Sequence, residues 1–222
     1  MATVTGASGA GETGARWRAR ARCGLGMMIG AALAAALWTA PAAAADVEAA
    51  NALVEDTAAQ ILDLAASEAS DLEKRQSFEA LLNETADVAR IARLTIGRPW
   101  RGLTDSQKAD YQAALIPFAA NRFVKSFGDF KGGSVRYKSS TTTKVRDEER
   151  VLVRTIGRRP ASAEATDILW VVTELEGRPV FYDVRIENLS LVVQLKNEMS
   201  GYLSSVGGDF DKLVALLRES TA

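Results

Sequence analysis

Acid–base chemistry has few residues to draw on in this chain. The sequence has no histidine and a single cysteine, Cys23. Proton transfer therefore falls to Asp, Glu, Lys or Tyr. The best-placed carboxylate is Asp183, which follows Tyr182 in the apolar stretch Val180-Phe181-Tyr182-Asp183-Val184. A carboxylate in an apolar cavity has its pKa raised and can act as a base. The same group paired with an arginine or capping a loop is only structural. Glu148-Glu149, Glu174 and Glu176 read as turn and rim charges. Gly207-Gly208 lacks the lysine and further glycines of a phosphate loop and reads as a helix stop.

The first 45 residues carry a different message. Arg16, Arg18, Arg20 and Arg22 precede an apolar run from Gly24 to Trp38, followed by Pro41 and the small residues Ala42 to Ala45. That order predicts a secretory signal peptide. Cleavage is expected after Ala45, with Ala42 as the second option. An uncleaved anchor is the alternative, but the run is short of the roughly 20 residues a spanning helix needs. No Arg-Arg pair suggests a twin-arginine route, and Cys23 lies before the apolar run, where it cannot take a lipid anchor.

The expected mature chain, 46–222, contains neither cysteine nor histidine. It offers no disulfide, thiol nucleophile, Cys/His zinc site or Ser-His-Asp triad. Removing four arginines and Glu12 from 27 basic and 28 acidic residues leaves a net charge of about −4. Lysines and arginines are scattered among acids, which is no nucleic-acid footprint. The expectation is one soluble, monomeric domain in a bacterial periplasm, with no cofactor and no metal.

The elements that must position Asp183 read as helices, then strands, then helices. Val47, Ala50, Leu53, Val54, Thr57, Ile61, Leu64 and Ala65 recur at helical spacing. A second short helix carries Leu72, Phe78, Leu81 and Leu82. Asp87 caps a third, stopped by Gly97 and Pro99. Thr104 and Gln107 match a capping box opening a helix towards Phe127. Pro117 lies inside that helix and predicts a kink.

Strands are predicted at 134–146, 150–157, Asp167 to Leu175 and Val180 to Glu187, with turns at Asp147–Glu149 and Glu176-Gly177. If Glu176 and Gly177 make the turn, Leu169, Val171 and Thr173 share an apolar face with Val180, Tyr182, Val184 and Ile186. A one-residue shift would scramble that face. Leu191, Leu195, Met199, Tyr202 and Val206 form a closing helical stripe, and Asp209 caps a last helix. Gly97-Arg98-Pro99-Trp100-Arg101 reads in two ways: Trp100 against the core with its arginines towards a partner or an anionic headgroup, or a plain helix-terminating turn.

Several of these stretches resemble one family. They are Phe78-Glu79-Ala80-Leu81-Leu82, Ile91-Ala92-Arg93 leading to Gly97-Arg98-Pro99-Trp100-Arg101, and Leu103-Thr104-Asp105-Ser106-Gln107. Val180-Phe181-Tyr182-Asp183-Val184 runs on through Glu187-Asn188-Leu189-Ser190-Leu191, and Gly207-Gly208-Asp209-Phe210-Asp211-Lys212-Leu213 closes the set. In this order, over about residues 50–220, they resemble the periplasmic phospholipid-binding proteins of the MlaC, or toluene-tolerance, family. Pro99 departs from the family's common Gly-x-Tyr-Trp, and Asn188-Leu189 from a more usual Gly-Val.

The resemblance implies an α+β, NTF2-like fold: a curved antiparallel sheet of about four strands packed with N- and C-terminal helices around an apolar cavity. It implies a non-enzymatic carrier of phospholipid acyl chains. The implied partners are an outer-membrane lipoprotein complex and an inner-membrane MCE/ABC transporter. A related branch, associated with hopanoid export, offers a second cargo class. The residues expected to contact lipid are Tyr111, Leu115, Phe118, Leu169, Val171, Val180, Tyr182, Val184, Ile186, Leu189 and Leu195. A gate is expected at Pro117 or in the helix after Leu191. Two other functions remain open here: an NTF2-like enzyme with Asp183 as base, and a periplasmic scaffold.

Overall fold

Helix starts are set by side chains that satisfy the first free backbone N–H groups. In the computed structural model, which describes residues 46–125, 130–160, 162 and 164–221, Asp46 Oδ1 accepts from the N–H groups of Glu48 and Ala49. It opens α1 (Val47–Ala66). Ser70 and Glu73 form a reciprocal capping box that opens α2 (Asp71–Thr85). Asp87 caps α3 (Val88–Ile96), which ends at Gly97 with φ +70°. A 3₁₀ turn (Arg98–Gly102) follows, and the Thr104–Gln107 capping box opens α4 (Asp105–Val124). Helix α4 accommodates Pro117 without interruption. The predicted signal peptide, Phe127 and Gly128 lie outside the described residues.

Five antiparallel strands follow as a meander in the order β1-β2-β3-β4-β5. They are β1 (Ser134–Val145), β2 (Glu148–Arg158), β3 (Ala165–Leu175), β4 (Arg178–Ile186) and the two-residue β5 (Leu189–Ser190). Ser190 caps α5 (Leu191–Ser205), and Asp209 caps α6 (Phe210–Glu219). Between these helices Gly207 and Gly208 take φ of +68° and +82°, a left-handed stop that side chains resist.

Two strand expectations are corrected. The β1–β2 turn is Arg146-Asp147, with Val145 opposite Glu148, so Glu148 and Glu149 belong to β2 instead of a loop. The β3–β4 turn is at Glu176-Gly177, both with positive φ, the type of turn that matches strand twist. Pairing runs as expected from Leu175↔Arg178 to Val172↔Phe181. There the register shifts by one, and Val171 pairs with Asp183. Such a bulge leaves one residue of β4 unpaired and reverses which side chains share a face beyond it. Val184 therefore pairs with Trp170, and Ile186 with Ile168.

The face of β3 that meets the helices is not the expected Leu169/Val171/Thr173 face. Trp170 and Val172 join Val151, Val153 and Phe181 in a cluster with Ala50, Val54 and Ala58 of α1. A second cluster binds α3, α4, α5 and α6 around Tyr111, Leu115, Met199, Leu213 and Leu217, all fully buried. A third joins Ala65, Phe78, Leu81, Ala120 and Val124, with Phe78 stacked on Phe123 at 4.8 Å between centroids. Among the described residues no helix is long and apolar enough to cross a membrane.

Candidate functional site

Where the three clusters meet, packing is incomplete and leaves a cavity of about 360 Å³. That is within the size range of small-molecule sites, roughly 300–1,000 Å³. Each cluster supplies part of the wall. Leu115, Ile116 and Ala119 come from α4, and Phe78, Leu81 and Leu82 from α2. Trp170 of β3 and Phe181, Tyr182 and Val184 of β4 form the sheet side. Leu191, Val192 and Leu195 of α5 close the remainder, with Ile61 of α1 and Ile91 of α3. Trp170 is held by its indole N–H, which donates to Thr155 Oγ1 at 3.1 Å, and by an edge contact with Phe181.

Polar groups on the wall are few. Asp183 is 7 % exposed, and each of its oxygens accepts a hydrogen bond. Its Oδ1 accepts from the Ser190 hydroxyl at 2.9 Å and the Val192 N–H at 3.3 Å, and Oδ2 accepts from Arg185 Nε at 3.3 Å. The carboxylate thus fastens the start of α5 to β4. Thr57 is the opposite case. Its hydroxyl is buried at the cavity wall with no hydrogen-bond partner among the described residues. Arg122 of α4 and Glu198 of α5 form an ion pair, and Tyr202 donates to the same Glu198 oxygen at 3.1 Å. Burial, then Glu198, pushes the Tyr202 phenol pKa up.

Tyr182 is braced from outside the cavity. The Arg90 guanidinium lies 3.7 Å from its ring centroid and that of Arg150 lies 5.2 Å away. Both arginines bind Glu148, Arg90 through two nitrogens and Arg150 through Nε and Nη2, and the Thr173 hydroxyl adds a fifth bond at 2.9 Å. Led by Arg90 and opposed by partial burial, these donors hold the Glu148 pKa down to about 2. Glu148 is thus an internal tie among α3, β2 and β3, where the sequence suggested a turn charge.

Of the residues expected at the site, Leu115, Tyr182, Val184 and Leu195 line the cavity. The other seven are placed elsewhere. Tyr111 is buried among α3, α4 and α6, bonded to the Thr95 hydroxyl at 2.9 Å. Phe118 packs edge-on against Tyr202. Leu169, Val171, Val180 and Ile186 are not on the wall, and Leu189 is 62 % exposed. The sheet side of the site is instead Trp170 and Phe181, which sequence reasoning missed, and the bulge sets Val184 beside Trp170 where the unshifted register would set Asp183. The even-numbered apolar series Ile168, Trp170, Val172 was the available signal for the first. Trp100 does pack inward, 6.4 Å from Tyr111, while Arg98 and Arg101 stay exposed. No group of three or more Asp, Glu, Cys or His side chains suited to a metal occurs among the described residues.

A family model described as MlaC protein matches residues 52–219. The chain belongs to the MlaC family. Comparison with curated proteins gave no match. Among solved structures, the chain is similar to a phospholipid-binding protein from Ralstonia solanacearum, determined in complex with a phospholipid. The TM-score is 0.61 and the identity 22 %, over 79 % of this chain and 96 % of that one. At that identity the likeness establishes a shared α+β fold.

Proposed function

We propose that this protein is a periplasmic lipid carrier. It holds phospholipid acyl chains in the cavity and ferries them between an outer-membrane lipoprotein complex and an inner-membrane MCE/ABC transporter. The observation that carries the reading is the cavity itself: apolar side chains from α1 to α5 and the sheet, with the Asp183 carboxylate held by protein donors. Membership of the MlaC family and the phospholipid complex of the Ralstonia neighbour support it. Each methylene withdrawn from water contributes about 0.8 kcal/mol, so a buried segment of ten methylenes contributes roughly 8 kcal/mol without headgroup chemistry. Asp183 favours this reading over an enzyme, because its carboxylate ties the start of α5 to β4 through Ser190 and Val192 and pairs with Arg185, a structural role.

The test is to express the full chain in a bacterium, purify the exported protein without detergent, and extract it for lipid mass spectrometry. Near-stoichiometric phospholipid is expected. A folded protein whose extract holds no lipid would overturn the reading.

A further inference from the structure

We propose that Arg122 is the anion-binding point of the cavity, where it takes the phosphodiester of a lipid headgroup in exchange for Glu198. The proposal rests on the carrier reading above. Among the described residues of the wall, Arg122 is the only cation. The two anions there differ in freedom. Asp183 is committed to α5, as shown, whereas Glu198 holds Arg122 by a single nitrogen-to-oxygen contact. Glu198 also keeps the Tyr202 hydroxyl, so its carboxylate retains a donor when Arg122 leaves.

The geometry favours exchange. The Arg122 side chain is 60 % exposed and that of Glu198 only 20 %. The guanidinium is therefore the partner that reaches solvent, and the carboxylate is the anchored one. One helical turn away, Phe118 of α4 meets Tyr202 of α5 edge-on at 5.9 Å, which fixes the spacing of the two helices next to the pair. Chains lying against the apolar wall would leave a phosphate at the one exposed cation. Guanidinium binds phosphate through two parallel hydrogen bonds, a stronger arrangement than the one-point contact it would give up. In the empty protein Glu198 stands in for the headgroup; loading frees α4 from α5 at this point.

The test uses the full chain as the host processes it, stripped of lipid. Binding of phosphatidylglycerol and of diacylglycerol with the same acyl chains is measured for wild type, Arg122→Gln and Glu198→Gln. Arg122→Gln should weaken phosphatidylglycerol roughly tenfold, the loss expected for one charged hydrogen-bonding partner, and leave diacylglycerol unchanged. Glu198→Gln keeps an acceptor for Tyr202 and should strengthen phosphatidylglycerol alone. Glycerophosphoglycerol, the headgroup without chains, should not compete. Equal phosphatidylglycerol affinity in wild type and Arg122→Gln would overturn the assignment while leaving the carrier reading intact. Competition by glycerophosphoglycerol at concentrations matching the lipid would mark a site for free phosphodiesters and overturn the headgroup role. Failure of the wild type to bind either lipid would overturn both.

Discussion

Replacing Glu148 by Gln should cost the protein stability at neutral pH and almost none near pH 2. The carboxylate receives five hydrogen bonds, from Arg90, Arg150 and Thr173, and its pKa falls from the ordinary 4.5 to about 2. At about 1.4 kcal/mol per pH unit this sets a ceiling of roughly 3 kcal/mol. The side chain is 34 % exposed, so solvent screening removes half or more and leaves about 1–2 kcal/mol. For a domain of this size that corresponds to a melting temperature lower by roughly 2–8 °C. The sign follows from the direction of the pKa change. A depressed carboxylate contributes fully above its unfolded value of 4.5, and the contribution fades as pH falls towards 2. Urea unfolding of wild type and Glu148→Gln at pH 7, 4.5, 3 and 2 measures it. The difference should be constant down to about 4.5 and then close. Equal stability at pH 7, or a gap that persists to pH 2, would refute the electrostatic account of this cluster.

Val184→Glu places an unpaired carboxylate on the cavity wall beside Trp170; co-purified lipid should fall at least roughly tenfold while the far-ultraviolet circular dichroism is kept, and undiminished lipid would contradict the placement of the wall. Thr57→Val removes a buried hydroxyl that has no partner among the described residues, so lipid-free protein should gain about 1 kcal/mol in chemical denaturation; a loss of that size would show that the hydroxyl is satisfied.

Much of the fold is legible because its signals are local. Asp46, Ser70, Asp87, Thr104, Ser190 and Asp209 each cap a helix within three residues of themselves, and the caps at Asp87, Thr104 and Asp209 are readable from the sequence. The Glu176-Gly177 turn was likewise readable. The site was less so. One unpaired residue in β4 decides whether Val184 or Asp183 stands beside Trp170, and nothing in Val180-Phe181-Tyr182-Asp183-Val184 announces it. Glu148 looked like a turn charge because its partner Arg90 lies 58 positions earlier, a pairing no local pattern contains. The wall is assembled from α1 to α5, so its membership depends on how layers meet more than on any single stripe.

The placement of α1 has a consequence for the newborn chain. Val54 is completely buried, yet the strands that bury its face, from Val151 to Phe181, are made roughly a hundred or more residues later. Helices α2 and α4 can begin to associate sooner, since Phe78 and Leu81 meet Ala120 and Val124. The part of α1 from Ala50 to Ala58 instead emerges from the ribosome with its apolar stripe unmatched until the strands follow, while Ala65 already meets α2. A chain arrested short of Phe181 presents that stripe to whatever chaperone or translocation machinery meets it, and the cooperative fold is reached only after the C-terminal half has followed.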